Sequence, residues 1–309
     1  MKANGVSLII PSSKPAALAN LIDNGLRMQV PKPEEVIIID SSSSDGSTDG
    51  LSAGRLDDEY TVYSIPNAEF DHGGTRNLGA RLSSGEILVF MTDDAIPTDE
   101  HCLENLVAPL ISEGVAATYA RQIPNDDANP LERFLRNFNY PPTSRTKGLM
   151  DVQELGYKTF FFSNACSAVK ADAFWEVGGF PERVIIGEDQ HLCAKLLRAG
   201  YKVKYAAEAR VYHSHNYNLR QQFKRYFDMG ASMAQARNLM EGARTGRDGL
   251  RFVVGQARYV VQAGDYTSLF KVLADAAAKA IAFSLGKRER YIPPLIKQHL
   301  STLPSRWKH

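Results

Sequence analysis

Short apolar runs alternate with segments of helical periodicity through the first half of the chain. Val6–Ile10, Val36–Asp40 and Ile87–Met91 are nearly continuous apolar runs, which are typical of strands buried on both faces in a parallel sheet. Between the first two runs, Pro15–Met28 carries apolar residues at helical spacing. These units predict an α/β fold with a mostly parallel central sheet, whose ligands bind at the carboxyl ends of the strands.

The second half of the chain continues this alternation and then becomes almost wholly helical. Residues 121–158 are rich in Pro, Asn and charge, which predicts a connecting region with a short helix at Leu131–Phe138. Lys158–Lys170 and Tyr201–Tyr205 are predicted strands. Further helices are predicted at Asn77–Ser83, Ala171–Val177, Asp189–Ala199, Leu219–Met240, Leu250–Ala263 and Ser268–Phe283. The change of pattern predicts an α/β domain at residues 1–215 and a helical region at 216–309.

Composition favours a globular intracellular protein. Of the 309 residues, 44% are apolar and 23% are charged, which is ordinary for this class. The cysteines, Cys102, Cys166 and Cys193, lack CxxC spacing, which excludes a disulfide framework and a zinc ribbon and suits a reducing compartment. No apolar run approaches the roughly 18 residues of a membrane span, and the N-terminus leads directly into the first predicted strand. We therefore expect a cytoplasmic location.

The net charge of +1 conceals a strong asymmetry. Residues 1–215 hold 20 Lys and Arg against 29 Asp and Glu, whereas residues 216–309 hold 16 against 6. A basic C-terminal third on an acidic body indicates contact with an anionic surface, or a solvated helical face. The tail has no recognised nucleic-acid-binding motif, so we expect no nucleic-acid partner.

Several well-known functional motifs are missing. The first strand is followed by IIPSSKPAAL, without G-x-G-x-x-G, and the chain contains neither a P-loop nor G-x-S-x-G. Dinucleotide-binding folds and P-loop enzymes are excluded on this ground, and a hydrolase is disfavoured. The segment SSSSDGSTDGLS, which begins at Ser41, superficially resembles a calcium-binding loop. It has Ser52, not Glu, at its twelfth position, so it is not a calcium loop.

Carboxylates remain at three predicted strand or loop ends. They are Asp40, Asp93–Asp94 and Glu188–Asp189, and His213 and His215 follow a later strand. A hard divalent cation bound to a diphosphate needs only one or two protein carboxylates, which Asp94 can supply. Glu188 and Asp189 can supply a general base, although either residue can equally be a helix N-cap.

Five blocks, in order along residues 6–215, make the chain resemble the family 2 glycosyltransferases. They are VSLIIPSSKPAALANLIDNGL, EVIIIDSSSSDGSTDG, RNLGARLSSGEILVFMTDDAIP, FFSNACSAVKADAFWEVGGFPE and GEDQHLCAKLLRAGYKVKY. FDHGGTRNLGA, TDDAIP and LGKRERYIPPLIKQHL are similar to the rhamnosyltransferase branch, which uses dTDP-L-rhamnose. The resemblance implies a GT-A-like nucleotide-sugar-binding domain and an inverting, metal-dependent transfer of a sugar, in this branch L-rhamnose, in cell-surface polysaccharide synthesis.

The resemblance also implies a donor site. It assigns to nucleotide-sugar binding Pro11, Ser12, Ser13, Asp40, Ser42, Asp71, His72, Arg76, Asn77 and Asp93. Within this set Asp40 would accept a hydrogen bond from the pyrimidine base, and Arg76 would lie near the diphosphate or sugar. Turn capping at Asp40, an Asx-type turn at Asp71 and a salt bridge at Arg76 are the structural alternatives.

The same resemblance implies the metal and catalytic groups. Asp94 would bind Mg²⁺ or Mn²⁺ at the diphosphate, with His213 or His215 as a further ligand. The family's D-x-D motif is altered, because Thr92 stands at its first position. Asp189 would be the catalytic base, and Glu188 would orient the loop or the acceptor.

Acceptors in this branch are commonly glycans or lipid-linked glycans. The basic tail would then rest on anionic headgroups at the inner face of the membrane, or form a helical cap with homodimer contacts. Two other functions stay open at this stage. The same fold can use a UDP- or GDP-sugar, or the chain can be a non-catalytic sugar- or lipid-binding adaptor.

Overall fold

Nine strands form one sheet in the residues that the computed structural model describes, which are 5–42, 60–112, 114–243 and 247–307. The strands are β1 Val6–Ser12, β2 Glu35–Asp40, β3 Tyr60–Ser64, β4 Ile87–Met91, β5 Ile96–Pro97, β6 Val115–Ile123, β7 Arg145–Lys147, β8 Cys166–Lys170 and β9 Lys202–Tyr212. Their order is β3-β2-β1-β4-β8-β6-β9-β5, and β7 pairs with β9. Residues 43–50, which carry part of the family pattern, lie outside the described residues.

Eleven α-helices connect and follow these strands in the described part of the chain. They are α1 Pro15–Leu21, α2 His72–Leu82, α3 Cys102–Val107, α4 Pro130–Asn139, α5 Val152–Leu155, α6 Ala171–Glu176, α7 Glu188–Arg198, α8 Leu219–Gln235, α9 Arg247–Gln262, α10 Thr267–Gly286 and α11 Pro294–Leu300. A π-helix at Ile22–Leu26 continues α1. None of the described helices combines the length and apolarity needed to cross a membrane.

The first four strands run parallel, which confirms the predicted α/β fold. β1 lies between β2 and β4, and its register places Ser12 opposite Asp40. β4 pairs antiparallel with β8, Met91 opposite Cys166. The turn after β4 and the turn before β8 therefore meet at one edge of the sheet.

Both faces of the sheet are covered, as continuous apolar strands require. Leu8 and Ile10 face a cluster that includes α1 and α3, whereas Ile9 and Phe90 face one that includes α6 and α7. All three cysteines are buried and unpaired, in agreement with small core side chains.

Two of the predicted segments were wrong. Lys158–Lys170 is not one strand: a 3₁₀ helix spans Gly156–Phe160, and only Cys166–Lys170 is extended. The buried ammonium of Lys147 donates to the carbonyls of Lys158 and Phe161, which holds this aromatic run in a turn. Residues 121–158 are not all connecting loop, because β6 extends to Ile123 between β8 and β9.

The helical C-terminal region is confirmed, and it is anchored by a close helix crossing. A Cβ on Gly286 would lie 2.0 Å from the carbonyl oxygen of Phe227, and one on Gly230 would lie 2.3 Å from that of Phe283. α8 and α10 therefore touch backbone to backbone. Ile185 of the α/β part is buried in the same cluster as Phe227. A domain boundary at residue 215 stays a prediction.

Candidate active site

Asp94, His213 and His215 converge at the carboxyl ends of β4 and β9. The two Nε2 atoms lie 3.2 Å apart, and they lie 3.3 Å (His213) and 3.5 Å (His215) from different oxygens of Asp94. A cation bound at ~2.1 Å would separate neighbouring ligand atoms by roughly 3.0 Å in an octahedral shell and 3.4 Å in a tetrahedral one. The three side chains therefore lie close enough together to hold one divalent ion. The sequence predicted Asp94 with His213 or His215, and the structure brings both histidines to the same place.

Gln122 orients the first of these histidines from the neighbouring strand. Nδ1 of His213 lies 3.0 Å from Oε1 of Gln122, whose amide nitrogen donates to Ser163. Because that oxygen can only accept, Nδ1 carries a proton, and in the neutral imidazole Nε2 presents its lone pair to the site. Arg136 also donates to Gln122 and forms an ion pair with Glu132.

The pKa values of Asp94 and His215 are set by burial and by the neighbouring ionisable groups. Burial would raise the pKa of Asp94, but the hydrogen bond from His213 and the positive charges that the two histidines carry when protonated hold it well below its usual range. Burial and the neighbouring His213 lower the pKa of His215 to about 4, so His215 is a neutral imidazole at pH 7 and able to bind a metal. Burial raises the pKa of Asp93, and the charge of Asp94 adds to this.

Glu188 and Asp189 begin α7 on the other side of the turn before β8. Nη1 of Arg76 lies 3.2 Å from Glu188, and the Asn164 amide donates to the same carboxylate at 3.2 Å. Asp189 accepts from the backbone N–H groups of Gln190 at 2.7 Å and Asn164 at 3.4 Å. The N-cap alternative is wrong for both acidic residues, because Gly187 is the N-cap, at φ 82°.

The pKa values of these two carboxyl groups are shifted in opposite directions. Burial and the charge of Glu188 raise the pKa of Asp189 to about 7. Burial would also raise the pKa of Glu188, but the Arg76 guanidinium and His72 keep it below its usual range. A pair of neighbouring acids with separated pKa values is the usual arrangement in acid–base catalysis, and Asp189, which is partly buried, is the member that titrates near neutrality.

Asp40, at the end of β2, has an uncommitted carboxylate oxygen. Asp40 is 1% exposed, and one oxygen accepts from the N–H of Ser42 at 2.8 Å. The other oxygen and the hydroxyl of Ser42 are buried without a partner among the described residues. The next strand end is occupied by Ser12, whose hydroxyl donates to Asp93 at 2.8 Å. Pro11 is buried in β1, and Ser13 is exposed at its end.

The side chains of Asp71, at the start of α2, and Asn77, within it, make hydrogen bonds that stabilise the fold. Asp71 caps the helix by accepting from the N–H groups of Gly73 and Gly74, and it forms an ion pair with Arg306 of the C-terminal segment. The Asn77 amide binds the carbonyl and the N–H of Phe180, each at 3.0 Å. Their predicted contacts with the donor sugar, and that of the neighbouring His72, stay predictions.

Two cavities open beside Asp189. One, of about 190 Å³, is lined by Asp189, His213 and Arg225, so the candidate base and the candidate metal centre face the same space. The other, of about 130 Å³, extends from Asp189 along α8 past Met229 and Met233. Phe160 and Phe162 are buried in the core.

The candidate metal centre and the acid pair lie at the carboxyl ends of strands in a mostly parallel α/β sheet, which is where α/β enzymes bind their ligands. The chain belongs to glycosyl transferase family 2, because the family model "Glycosyl transferase family 2" matches residues 7–178.

Curated relatives extend the similarity over nearly the whole chain. It is 35% identical over 306 residues to the O-antigen chain rhamnosyltransferase RfbN of Salmonella typhimurium, covering 98% of this chain and 96% of the relative. It is 36% identical over 308 residues to the O-antigen chain rhamnosyltransferase WbaN of Salmonella anatum, with the same coverage. The chain is therefore a glycosyltransferase.

Solved structures confirm the GT-A-like fold. A mannosyltransferase from Pyrobaculum calidifontis, in complex with GDP-Man and Mn²⁺, superposes with a TM-score of 0.58 at 17% identity and covers 99% of this chain and 86% of its own. TarS of S. aureus, in complex with UDP-GlcNAc, gives a TM-score of 0.55 at 15% identity, with 98% and 85% covered.

Sequence reasoning missed the residues that support the site. Gln122 and Arg136 lie in segments without a motif, so no sequence signal pointed to them. Asn164 stands in the block FFSNACSAVK, and its position directly before the strand that pairs with β4 was a usable signal. Arg306 joins Asp71 across 235 positions, a separation that no local pattern reports.

Proposed function

We propose that the protein is an inverting, metal-dependent rhamnosyltransferase of cell-surface polysaccharide synthesis. It would transfer L-rhamnose from dTDP-L-rhamnose to a hydroxyl group of a glycan or lipid-linked glycan. The observation that carries the enzymatic part is the shared cavity between Asp189 and His213. The choice of sugar is supported by the full-length similarity to two rhamnosyltransferases.

Asp189 is the base of this reaction. With a pKa of about 7, it is partly ionised at neutral pH and accepts the proton of the acceptor hydroxyl efficiently. The acceptor oxygen then forms a bond to the anomeric carbon while the bond to the diphosphate breaks. Attack from the face opposite the diphosphate inverts the configuration, so a β-linked donor gives an α-L-rhamnoside.

The cation proposed for the centre at Asp94 is Mn²⁺ rather than Mg²⁺. Mg²⁺ prefers an all-oxygen octahedral shell, whereas two of the three side chains here are imidazoles. When bound, the ion would neutralise the charge that develops on the leaving diphosphate. Arg76 is buried beside Glu188 and supports this role from the protein side.

Asp40 would recognise the base of the donor. Among the described residues, its second carboxylate oxygen has no hydrogen-bond donor, and leaving a buried carboxylate oxygen unpaired costs free energy. The ring N–H of thymine or uracil supplies the missing donor, and Ser12, Ser13, Ser42 and Pro11 border the same edge.

The acceptor side would lie against a membrane. The C-terminal region carries exposed apolar side chains, among them Phe270 at 78% and Leu273 at 58%, and a strong excess of basic residues. This combination fits a cytoplasmic protein that rests peripherally on anionic headgroups. A homodimer through the same face is the competing arrangement, which size-exclusion chromatography with light scattering distinguishes.

Calorimetric titration of dTDP, UDP and GDP, with and without Mn²⁺, tests the proposal. We expect Mn²⁺-dependent binding of dTDP that Asp94→Ala abolishes and the exposed control Asp23→Ala leaves intact. A preference for UDP or GDP would discard rhamnose and keep the fold and mechanism. Absence of nucleotide binding would indicate a non-catalytic adaptor. An NMR spectrum showing retained configuration in the product would refute inversion.

A further inference from the structure

A basic groove lies between the end of α8 and the end of α10. It encloses about 1010 Å³, and its cationic side chains are Arg237, Lys287, Arg288 and Arg290. All four are exposed. They come from two separate chain segments, and the backbone contact of α8 with α10 at Gly286 holds these segments together. The groove is therefore a built concavity and not a single charged helix face.

The four cations of this groove form no ion pair in the part of the chain that the structure describes. Within the described residues, no carboxylate lies at ion-pair distance from any of the four cations. Of the two acidic residues that line the groove, Glu289 is already paired with Lys297 at 2.7 Å, which leaves Glu241. Concentrated, unpaired cations in a concave surface attract and hold an anion.

The groove adjoins the cavity beside the candidate base. Met233 and Met240 line both the basic groove and the cavity of about 130 Å³ that reaches Asp189. Met229, one helical turn before Met233, lines both cavities beside Asp189, and a turn of four residues advances about 6 Å along the helix. Thioether side chains form an adaptable wall for a ligand that passes along it.

We propose that this groove binds the phosphate-bearing part of the acceptor, with the acceptor sugar extending past Met233 to Asp189. The inference rests on the proposed function and adds to it the place where the anionic, phosphate-linked end of the acceptor binds. Arginine guanidinium groups bind phosphate oxygens in pairs of hydrogen bonds. Phospholipid headgroups carry the same chemistry, so the test separates the two sources.

The experiment compares the wild-type full chain with the double variant Arg237→Glu/Arg288→Glu. Its matched control is Arg251→Glu/Arg258→Glu, which makes the same charge change on α9, outside the groove. Inorganic pyrophosphate is titrated in EDTA, so that binding through a cation at Asp94 does not contribute. We expect the groove variant to lose at least about tenfold in pyrophosphate affinity and the control to change little. The neutral variant Arg237→Gln/Arg288→Gln is measured as well, and the melting temperature of each variant shows whether a loss of binding results from a folding defect.

Sedimentation with vesicles of phosphatidylcholine and phosphatidylglycerol (3:1) identifies the source of the phosphate. If the groove variant loses pyrophosphate binding but binds vesicles as the wild type does, the acceptor site is supported. If the groove variant loses both, the groove binds membrane headgroups and the acceptor assignment is overturned. Equal pyrophosphate affinity in all variants also overturns it. Titration of dTDP with Mn²⁺ is run on the same samples. Its failure in the wild type would refute the proposed function, whereas the pyrophosphate result would still report on the groove.

Discussion

Replacing Asp189 by Asn is expected to abolish transfer and, at the same time, to stabilise the fold at alkaline pH. The variant removes the proposed base, so the transfer rate should fall by about 10²- to 10⁴-fold. It also removes a buried acid whose ionisation the protein opposes through burial and the charge of Glu188. Loss of activity together with a gain in stability is expected for a residue that serves catalysis although it destabilises the fold.

The magnitude follows from the pKa. A rise from 3.8 to about 7 corresponds to on the order of 4 kcal/mol of unfavourable free energy when Asp189 is fully ionised. Because the folded state holds the proton more tightly than the unfolded state, the free energy of unfolding falls as pH rises from about 4 to 7. The amide of Asn does not titrate, so the free energy of unfolding of the variant does not fall in this way with pH. The unpaired N–H groups of the Asn amide offset part of this gain.

The assay is urea unfolding of both proteins at pH 5 and pH 8, alongside transfer activity. The advantage of the variant should grow from pH 5 to pH 8 by a few kcal/mol at most. Asp172→Asn, exposed in the first turn of α6, is the control and should show no comparable growth. The reasoning fails if Asp189→Asn keeps its activity, or if its stability relative to wild type is the same at both pH values.

Three further predictions concern charge, metal affinity and packing. In the wild type, kcat/KM should rise about tenfold between pH 6 and pH 8 as Asp189, whose pKa is about 7, loses its proton. Glu188→Gln, measured at substrate concentrations below KM, should move this rise to lower pH because a repelling charge is gone. An unmoved profile would contradict the electrostatic coupling of the two carboxyl groups. Gln122→Ala should weaken Mn²⁺ binding by about 10- to 100-fold, measured by calorimetry; an unchanged affinity would show that the histidine needs no orienting partner. Gly286→Ala should lower the melting temperature by several degrees, since its Cβ would meet the facing backbone at 2.0 Å. Gly249→Ala, where nothing lies within 4 Å, should raise stability slightly, and equal behaviour of the two glycine variants would argue against the helix crossing.

Local sequence was sufficient for much of the α/β scaffold. The apolar runs at β1, β2 and β4 were recognisable because strands buried on both faces have no polar alternation. Asp40 and Asp94 were placed correctly because they follow such runs directly. Asp189 stood in a block of the family pattern, two residues after Gly187.

Other elements depended on tertiary neighbours. β6 begins with VAATYA, and alanine favours helix by intrinsic preference; the segment is a strand because β8 and β9 bond to it on both sides. The aromatic run at Phe160–Phe162 has the composition of a strand, yet Lys147 binds its carbonyls and bends it.

The chemistry of the site was likewise decided at long range. The sequence determined that carboxylates and histidines were available at strand ends, because side-chain identity and local periodicity are properties of contiguous residues. It did not determine that Arg76 would meet Glu188 or that Gln122 would orient His213 91 positions away. Only the folded structure buries Asp189 beside another carboxylate and so raises its pKa, because burial and electrostatic interaction depend on distance in space and not on distance along the chain.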